Sequence, residues 1–312
     1  MKTMGLLLVF LGLAAFGAWL LLGKSSGTAR AMAPAATSAD KAITPAQLDA
    51  FLAPYRDALQ ATTRPVLRIT LAEFPEDLPT ASKLGGRAWW PAGEPAPAGA
   101  DGRPLVLLAQ LDFAEMPARP GYPSKGLLQF FIASDDLYGA NFDGGDVVSE
   151  RTAQRNFRIA YWPDTQVPSQ VLPALEPDQD MLPHDPRRPM RLRFTPGDET
   201  LSSGDYRFNA LLGGNAYDTA RAYAQAHQLS ADGLLNAVYE RLSGFGHKVG
   251  GYPGFTQEDP REGGDWELLL QIDTDDGAGV MWGDAGIGNF FIAPADLARA
   301  DFSRVMYTWD CY

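Results

Sequence analysis

The side chains best suited to binding chemistry are concentrated in the last quarter of the chain, close to glycine-rich segments. They are His247, Lys248, Tyr252, Gln257, Asp273, Trp282 and Asp284, joined by Trp90 from an earlier segment. The stretch "MWGDAGIG" is rich in glycine, which predicts a loop where Trp282 is available to a ligand. The alternative is that Trp282 folds back over its own sheet. We expect these residues to line a cleft, with Trp282 and His247 partly exposed.

Acid–base catalysis would need a histidine and a carboxylate in one pocket. His247 with Asp273 or Asp284 is the pair that this chain offers, although Asp273 could instead cap the end of its strand. No spacing joins a nucleophile, a base and a group that orients the base, so no catalytic residue is assigned. Convergence of the three residues would favour an enzyme, and their dispersion would favour a binding protein.

The sequence contains no recognisable motif for a metal or a cofactor, and we expect neither. "DTDDG" from Asp273 lacks the acidic spacing and the closing glutamate of a calcium loop. The three histidines, His184, His227 and His247, lie in segments that are not expected to converge. Cys311 is the single cysteine, which excludes an internal disulfide and a thiolate-rich site.

Two pairs of residues have both a structural and a functional interpretation. Gln110 and Gln271 each lie in an apolar strand, where a polar side chain must be satisfied, usually by backbone groups of a facing strand or loop. Lys83 and Lys248 each precede two glycines, which indicates an unusual turn. The alternative is an anion site made by exposed amides beside each lysine. For both pairs we favour the structural interpretation.

These motifs occur twice because the chain contains a degenerate copy of itself. Four blocks recur in the same order: "KLGG" and "KVGG", "LLAQLD" and "LLLQID", "GLLQFFIASDDL" and "GIGNFFIAPADL", "IAYWPD" and "VMYTWD". We predict duplicated units at about 83–164 and 248–312 that pack across a pseudo-twofold axis in one core. Phe131 and Phe291 are then core residues, and the aromatic loops at Trp90 and Trp282 would meet across the axis.

Many short strands and few helices predict an α+β fold with one largely antiparallel sheet and helices at its periphery. A capping box at Thr44 predicts a helix that runs to about Gln60 and kinks at Pro54. Two more helices are predicted, one over 217–227 and one that begins after Ser230 and ends at Gly244. The proline-rich stretch 163–189 is expected to be a surface loop. The predicted strands begin at Val66, Leu105, Leu127, Asn156, Met190, Trp266, Asn289 and Val305.

Composition excludes one class of partner. The formal net charge is -12, whereas nucleic-acid binding needs a basic surface that displaces counterions from the phosphates. The hydrophobic content of 46% is ample for a core.

The N-terminus predicts attachment to a membrane. Gly5 to Leu22 is an uncharged apolar run, which makes residues 1–24 an uncleaved anchor or, alternatively, a cleaved signal. Residues 25–42 have the composition of a disordered linker, and 43–312 form the globular domain. We expect a single-pass protein of the inner membrane with the domain on the periplasmic side.

Several motifs together resemble one protein family. "SKLGG", "WWP", "LLAQLDF", "GLLQFFI", "HKVGGYPGFTQED", "LLLQID" and "MWGDAGIGNFFI" are similar to the YwqG-like family, DUF1963. The resemblance covers about residues 65–312 and implies a bacterial α+β protein with an internal duplication. It implies no reaction, and the N-terminal anchor is not part of the family pattern.

These observations favour a non-catalytic binding protein of the bacterial cell envelope, tethered to the membrane, with an unknown protein or small molecule as its partner. One alternative is an envelope enzyme that acts on a saccharide or peptide with aspartate and histidine as acid and base. Others are an immunity-type protein that neutralises a basic toxin, and a structural component of the envelope.

Overall fold

A computed structural model of the protein describes residues 42–142, 148–176, 181–261 and 264–312. The predicted anchor, 1–24, and all but the last residue of the predicted linker lie outside these ranges. Within them, no helix combines the length and the apolar character needed to span a membrane.

The described residues build an antiparallel ten-stranded sheet and a separate pair of strands, so the predicted α+β class is confirmed. The large sheet has the order β12-β11-β10-β9-β1-β8-β2-β4-β5-β6, and β3 pairs with β7. The strands are β1 (Arg64–Glu73), β2 (Lys83–Leu84), β3 (Ala88–Pro91), β4 (Val106–Asp112), β5 (Leu127–Ile132), β6 (Phe157–Trp162), β7 (Ser169–Leu172), β8 (Met190–Glu199), β9 (Lys248–Gly250), β10 (Glu267–Asp273), β11 (Ile287–Ile292) and β12 (Met306–Asp310).

Two strand pairs on opposite sides of the sheet share an irregularity. The register of β4 against β5 shifts between Leu107 and Ala109, and that of β10 against β11 shifts between Leu268 and Leu270. Such a bulge places two residues of one strand opposite one residue of its partner. Between these pairs, β1 and β8 pair along their whole length, so the centre of the sheet is continuous.

One face of the sheet encloses the main hydrophobic core. Phe130 of β5 and Phe290 of β11 meet there with ring centroids 4.9 Å apart. The outermost strands also approach each other, since the rings of Phe157 in β6 and Tyr307 in β12 lie 5.2 Å apart. The sheet is therefore curved and nearly closed around this core.

The opposite face of the sheet is covered differently at its two ends. Phe131 packs with Trp90 under the β3–β7 pair, and Phe291 packs with Phe255 of a loop. Both phenylalanines are buried, which confirms their prediction as core residues. The β7 strand lies in the stretch 163–189 that was expected to be a loop; it forms because its four residues pair with β3.

The helices form a second hydrophobic cluster beside the sheet, built around Phe51, Phe208 and Leu234. The capping box at Thr44 and the break at Pro54 are confirmed, because a 3-10 turn at Ala53–Tyr55 separates α1 from α2. The helices are α1 (Pro45–Leu52), α2 (Arg56–Ala61), α3 (Val148–Arg151), α4 (Phe208–Leu211), α5 (Ala216–His227), α6 (Ala231–Arg241) and α7 (Pro294–Ala298).

The sequence predicted that Gly244 ends the helix after Ser230, and this prediction is wrong. Helix α6 begins after its predicted cap Ser230 but stops at Arg241. At Gly244 a Cβ atom would overlap the carbonyl group of Pro253. Glycine therefore permits the turn after α6 to lie directly against the loop that contains Pro253.

Candidate functional site

Trp282 is fully buried, so the expectation that it is partly exposed is wrong. The amide of Gly286 donates to the carbonyl of Trp282 at 2.8 Å, and this turn folds the indole onto β11. The ring lies over Gly288, where a Cβ atom would overlap it, and contacts Tyr138 at 5.7 Å between centroids. The glycines therefore serve packing, and Trp282 covers its own sheet.

His247 is also buried, which contradicts its predicted exposure, and it lies beside Asp273. Its Nδ1 accepts from the amide of Asp273 at 2.9 Å, and its Nε2 lies 3.4 Å from a carboxylate oxygen of Asp275. Burial lowers the pKa of His247, against the opposing influence of Asp275 and Asp273. Both ring nitrogens are thus engaged inside the protein.

The carboxylate of Asp273 caps the end of β10 by accepting backbone amides. It accepts from Gly246 at 2.5 Å and from Thr274 at 2.8 Å. Burial raises the pKa of Asp273. Asp284 is exposed, and among the described residues no hydrogen bond joins it to His247 or Asp273. His247 and Asp273 therefore lie side by side, and their hydrogen bonds are made within the protein.

Lys248 and Lys83 are buried and paired within the protein. Lys248 Nζ lies 3.1 Å from a carboxylate oxygen of Glu199, and Lys83 Nζ lies 2.6 Å from one of Asp77. Lys83 also donates to the carbonyls of Leu78 and Arg87. Burial lowers the pKa of both lysines. Neither ammonium group is available to an external anion.

Gln110 and Gln271 have the structural role that the sequence favoured. The side-chain amide of Gln271 donates to the carbonyls of Gly244 and Gly246 at 2.8 and 2.7 Å. That of Gln110 donates to the carbonyls of Pro79 and Ala81, both at 2.8 Å. Each glutamine fastens a loop across the end of its strand.

Trp90 and Tyr252 are buried too. The Trp90 ring lies 5.0 Å from that of Trp162, and no ring contact joins it to Trp282 among the described residues. The two aromatic loops therefore do not meet, because each folds onto the strands of its own end of the sheet. The hydroxyl of Tyr252 donates to the carbonyl of Thr62 at 2.5 Å, which fixes it in the helical cluster.

Gln257 is the one predicted site residue that lines the large cleft of the domain. This cleft has a volume of ≈ 1020 Å³. It lies between three segments: residues 203–209, residues 236–245 at the end of α6 and in the turn after it, and the loop 254–259. Its volume is in the range of binding sites for small molecules and short segments of chain. The candidate site is therefore this cleft, beside the position that the sequence indicated.

A buried network of charges holds one wall of the cleft. A guanidinium nitrogen of Arg261 lies 2.7 Å from Asp205 and 2.6 Å from Asp259, and Arg207 also pairs with Asp205. The arginines lower the pKa of Asp205, although its burial opposes them. These carboxylates are paired with arginines, and the ion pairs stabilise this wall of the cleft.

The other side chains of the cleft are exposed and aromatic or acidic. Tyr239 and Phe245 expose 41% and 47% of their surface, and Glu240 and Glu258 are exposed beside them. These residues were not among the predicted site residues. Their signal is the pattern "YERLSGFG", in which aromatic residues lie next to a helix end and between glycines.

The arrangement can bind a ligand, but it shows no set of residues for bond cleavage. Among the residues that the structure describes, no group of three or more histidine, cysteine, aspartate or glutamate side chains is placed to hold a metal ion. The cleft contributes aromatic surface, carboxylates and the amide of Asn236, while the side-chain amide of Gln257 donates to the carbonyl of Cys311 at 2.7 Å. Such groups are typical of recognition surfaces.

Comparison with known proteins assigns the family. No curated protein matches the chain. The family model described as a domain of unknown function, DUF1963, matches residues 82–311. This range includes every strand of the ten-stranded sheet except β1, and the three segments 203–209, 236–245 and 254–259 that form the cleft. On this match the chain belongs to the DUF1963 family.

Proposed function

We propose that this protein is a non-catalytic binding protein of the bacterial cell envelope, and that the cleft is its binding surface. One contrast carries the proposal. The polar residues that could do chemistry, His247 and Asp273, are occupied by internal partners, whereas Tyr239 and Phe245 of the cleft are exposed. An aromatic side chain that is exposed in a cleft offers part of its surface to a ligand.

The geometry gives less support to an envelope enzyme that acts on a saccharide or peptide. A general acid or base must reach the proton that it transfers. His247 and Asp273 do not line the cleft, and the carboxylates buried in its wall are paired with Arg261 and Arg207. An immunity-type function is a special case of binding, in which the partner is a basic toxin.

The apolar run Gly5–Leu22 supports tethering to the inner membrane as a single-pass protein, with the domain on the periplasmic side. The small, proline- and serine-containing stretch that follows would act as a flexible linker. Such a tether keeps the cleft within a short distance of the membrane and raises its effective concentration near a partner there.

We also propose that the domain arose by duplication of the units 83–164 and 248–312, with pseudo-twofold symmetry. The strand order supports this, because β9 to β12 run outward from one side of the centre as β2, β4, β5 and β6 do from the other. The matching bulges and the matching pairs Lys83–Gln110 and Lys248–Gln271 also support it.

Photo-crosslinking in membranes of the native host tests the binding surface. We expect a photoreactive phenylalanine at Tyr239 of the full-length chain to capture a partner. The same residue at Val171, which is similarly exposed on β7 and is not part of the cleft lining, should capture none. Equal capture at the two positions, or none at either, would contradict the proposal.

A further inference from the structure

The charge of the cleft that is not balanced by ion pairs is negative. Among the described residues that line it, four are carboxylates, Asp205, Glu240, Glu258 and Asp259, and none is lysine or arginine. Asp205 and Asp259 are balanced by two arginines, Arg261 and Arg207. Glu240 and Glu258 are exposed, and among the described residues neither has an ion-pair partner. A cationic ligand would therefore meet two uncompensated carboxylates.

The aromatic side chains of the cleft suit the same ligand. Arg207 and Arg261 lie over the ring of Tyr206, at 5.2 and 5.7 Å from its centroid, so this wall already holds guanidinium groups on an aromatic face. Tyr239 and Phe245 are exposed and carry no such cation among the described residues. Aromatic faces attract guanidinium and ammonium groups, more strongly where water is excluded.

The backbone at the floor of the cleft is largely used by the protein itself. The amide of Gly254 donates to Gln271, and those of Thr256 and Gln257 donate to Asp310. The carbonyl of Gly254 accepts from Asn289. A segment cannot add here as an extra strand along these groups, so side chains must supply the recognition.

We propose that the cleft binds a polypeptide segment through its arginine or lysine side chains. Glu240 and Glu258 pair with the cations, and Tyr239 and Phe245 pack against their flat or aliphatic parts. A polypeptide is favoured because the cleft, at ≈ 1020 Å³, has room for several residues, and because the net charge of -12 steers basic partners toward this protein. This inference rests on the proposed function and names its ligand class.

Fluorescence anisotropy with the full-length chain tests the ligand class. The probe is a labelled octapeptide of alternating arginine and glycine, and its control has citrulline in place of arginine, which keeps the shape and removes the charge. We expect the arginine peptide to bind at least about 10-fold more tightly than the citrulline peptide, with binding weakened by salt. E240Q with E258Q should weaken binding of the arginine peptide about 10-fold.

The matched control is Asp57→Asn with Glu94→Gln. It removes the same number of charges from exposed residues outside the cleft lining and should leave binding unchanged. Thermal melts identical to those of the original chain establish that both double variants are folded. Equal binding of the two peptides, or unchanged binding after E240Q with E258Q, overturns the inference. Tighter binding of free spermidine than of the peptide also overturns it.

The two proposals fail in distinguishable ways. If crosslinking from Tyr239 captures a partner and the arginine peptide does not bind, the ligand class is wrong and the binding surface stands. If crosslinking from Tyr239 also fails, the proposed function itself fails.

Discussion

Lys83 and Lys248 illustrate at the scale of single residues how the surroundings decide the role of a side chain. Each precedes two glycines with positive φ, a pattern that also suits an anion site. Both lysines are buried, and burial lowers the pKa of each, while Asp77 and Glu199 oppose this by stabilising the charged form. Breaking a buried ion pair of this kind by removing one partner is expected to be destabilising, because the other charge is left buried without a partner.

Trp282 should behave as a core residue. Trp282→Ala is expected to lower the free energy of unfolding by about 3 to 5 kcal/mol, as should Phe291→Ala, because both side chains are fully buried. Trp282→Phe should cost clearly less, since it keeps an aromatic ring and the indole nitrogen has no hydrogen-bond partner among the described residues. Urea titrations of the three variants measure this, and a loss near zero for Trp282→Ala would contradict its burial.

His184 should make stability depend on pH. Burial lowers its pKa from 6.5 to about 4, partly opposed by the carbonyl of Leu107 and by Asp185. The unfolded chain then binds a proton more readily than the folded chain, so stability is present above pH 6.5 and is lost as the pH falls toward 4. This group alone should account for a loss of about 2 kcal/mol between pH 7 and pH 5.

Unfolding free energies of the original chain and of His184→Gln at the two pH values isolate this contribution. The glutamine amide can still donate to the carbonyl of Leu107 but does not titrate. The variant should therefore lose less stability on acidification, whatever His247 and the carboxylates contribute to both chains. Identical losses in the two chains would show that His184 does not titrate as inferred.

At the scale of elements, bulges and glycines adapt the sheet to what packs on it. The shifts in β4 and β10 occur at the same place in two strand pairs, and each pair ends beside a loop fastened by a glutamine. Strand β11 carries Gly288 where the indole of Trp282 crosses it. The packing of β11 therefore depends on Trp282, which lies in the loop before this strand.

Gly288→Ala should destabilise the protein because the new Cβ atom would overlap the indole of Trp282. We expect a cost of about 1 to 3 kcal/mol, as for other cases of overpacking. In a chain with Trp282→Leu the same change should cost less, giving a coupling of at least about 0.5 kcal/mol in a double-mutant cycle. Gly214→Ala, where a Cβ atom has only ordinary contacts, is the control and should be nearly neutral. Strict additivity of the two changes would argue against the contact.

At the scale of the whole molecule, the charge, the cleft and the N-terminal run point to one arrangement. The acidic domain would be held at a membrane by Gly5–Leu22 and would present the cleft to a basic partner. Charge of this size favours rapid encounter with a basic partner and disfavours nucleic acid.

Deletion of Gly5–Leu22 tests the tether. We expect the shortened chain to leave the membrane fraction while its domain keeps the melting temperature of the full-length chain, because the hydrophobic clusters of the described residues begin at Ile43, after the run. Cell fractionation with detection of the domain measures the first effect. Unchanged membrane association would refute targeting by this run, and a shorter mature chain from the intact gene would indicate cleavage.

The sequence by itself determined the longer strands and helices of the domain, whereas short elements such as β3 and β7 were not predicted. Thr44 with Gln47 and Ser230 mark helix starts through hydrogen bonds to residues three positions away, and the alternation around Ile69 marks a strand. Such signals are local, so they persist whatever the rest of the chain does. Most of the predicted strands, helices and core phenylalanines were therefore found.

Only the tertiary structure decided which polar and aromatic residues are available to a ligand. Trp282 appeared accessible in a glycine-rich loop, but its burial depends on Gly288 and Tyr138. Lys248 is neutralised by Glu199, 49 positions away. The cleft joins residues 203–209, 236–245 and 254–259, whose proximity follows from the packing of α4 and α6 beside the sheet. Exposure is set by contacts between distant parts of the chain, and the local sequence does not contain them.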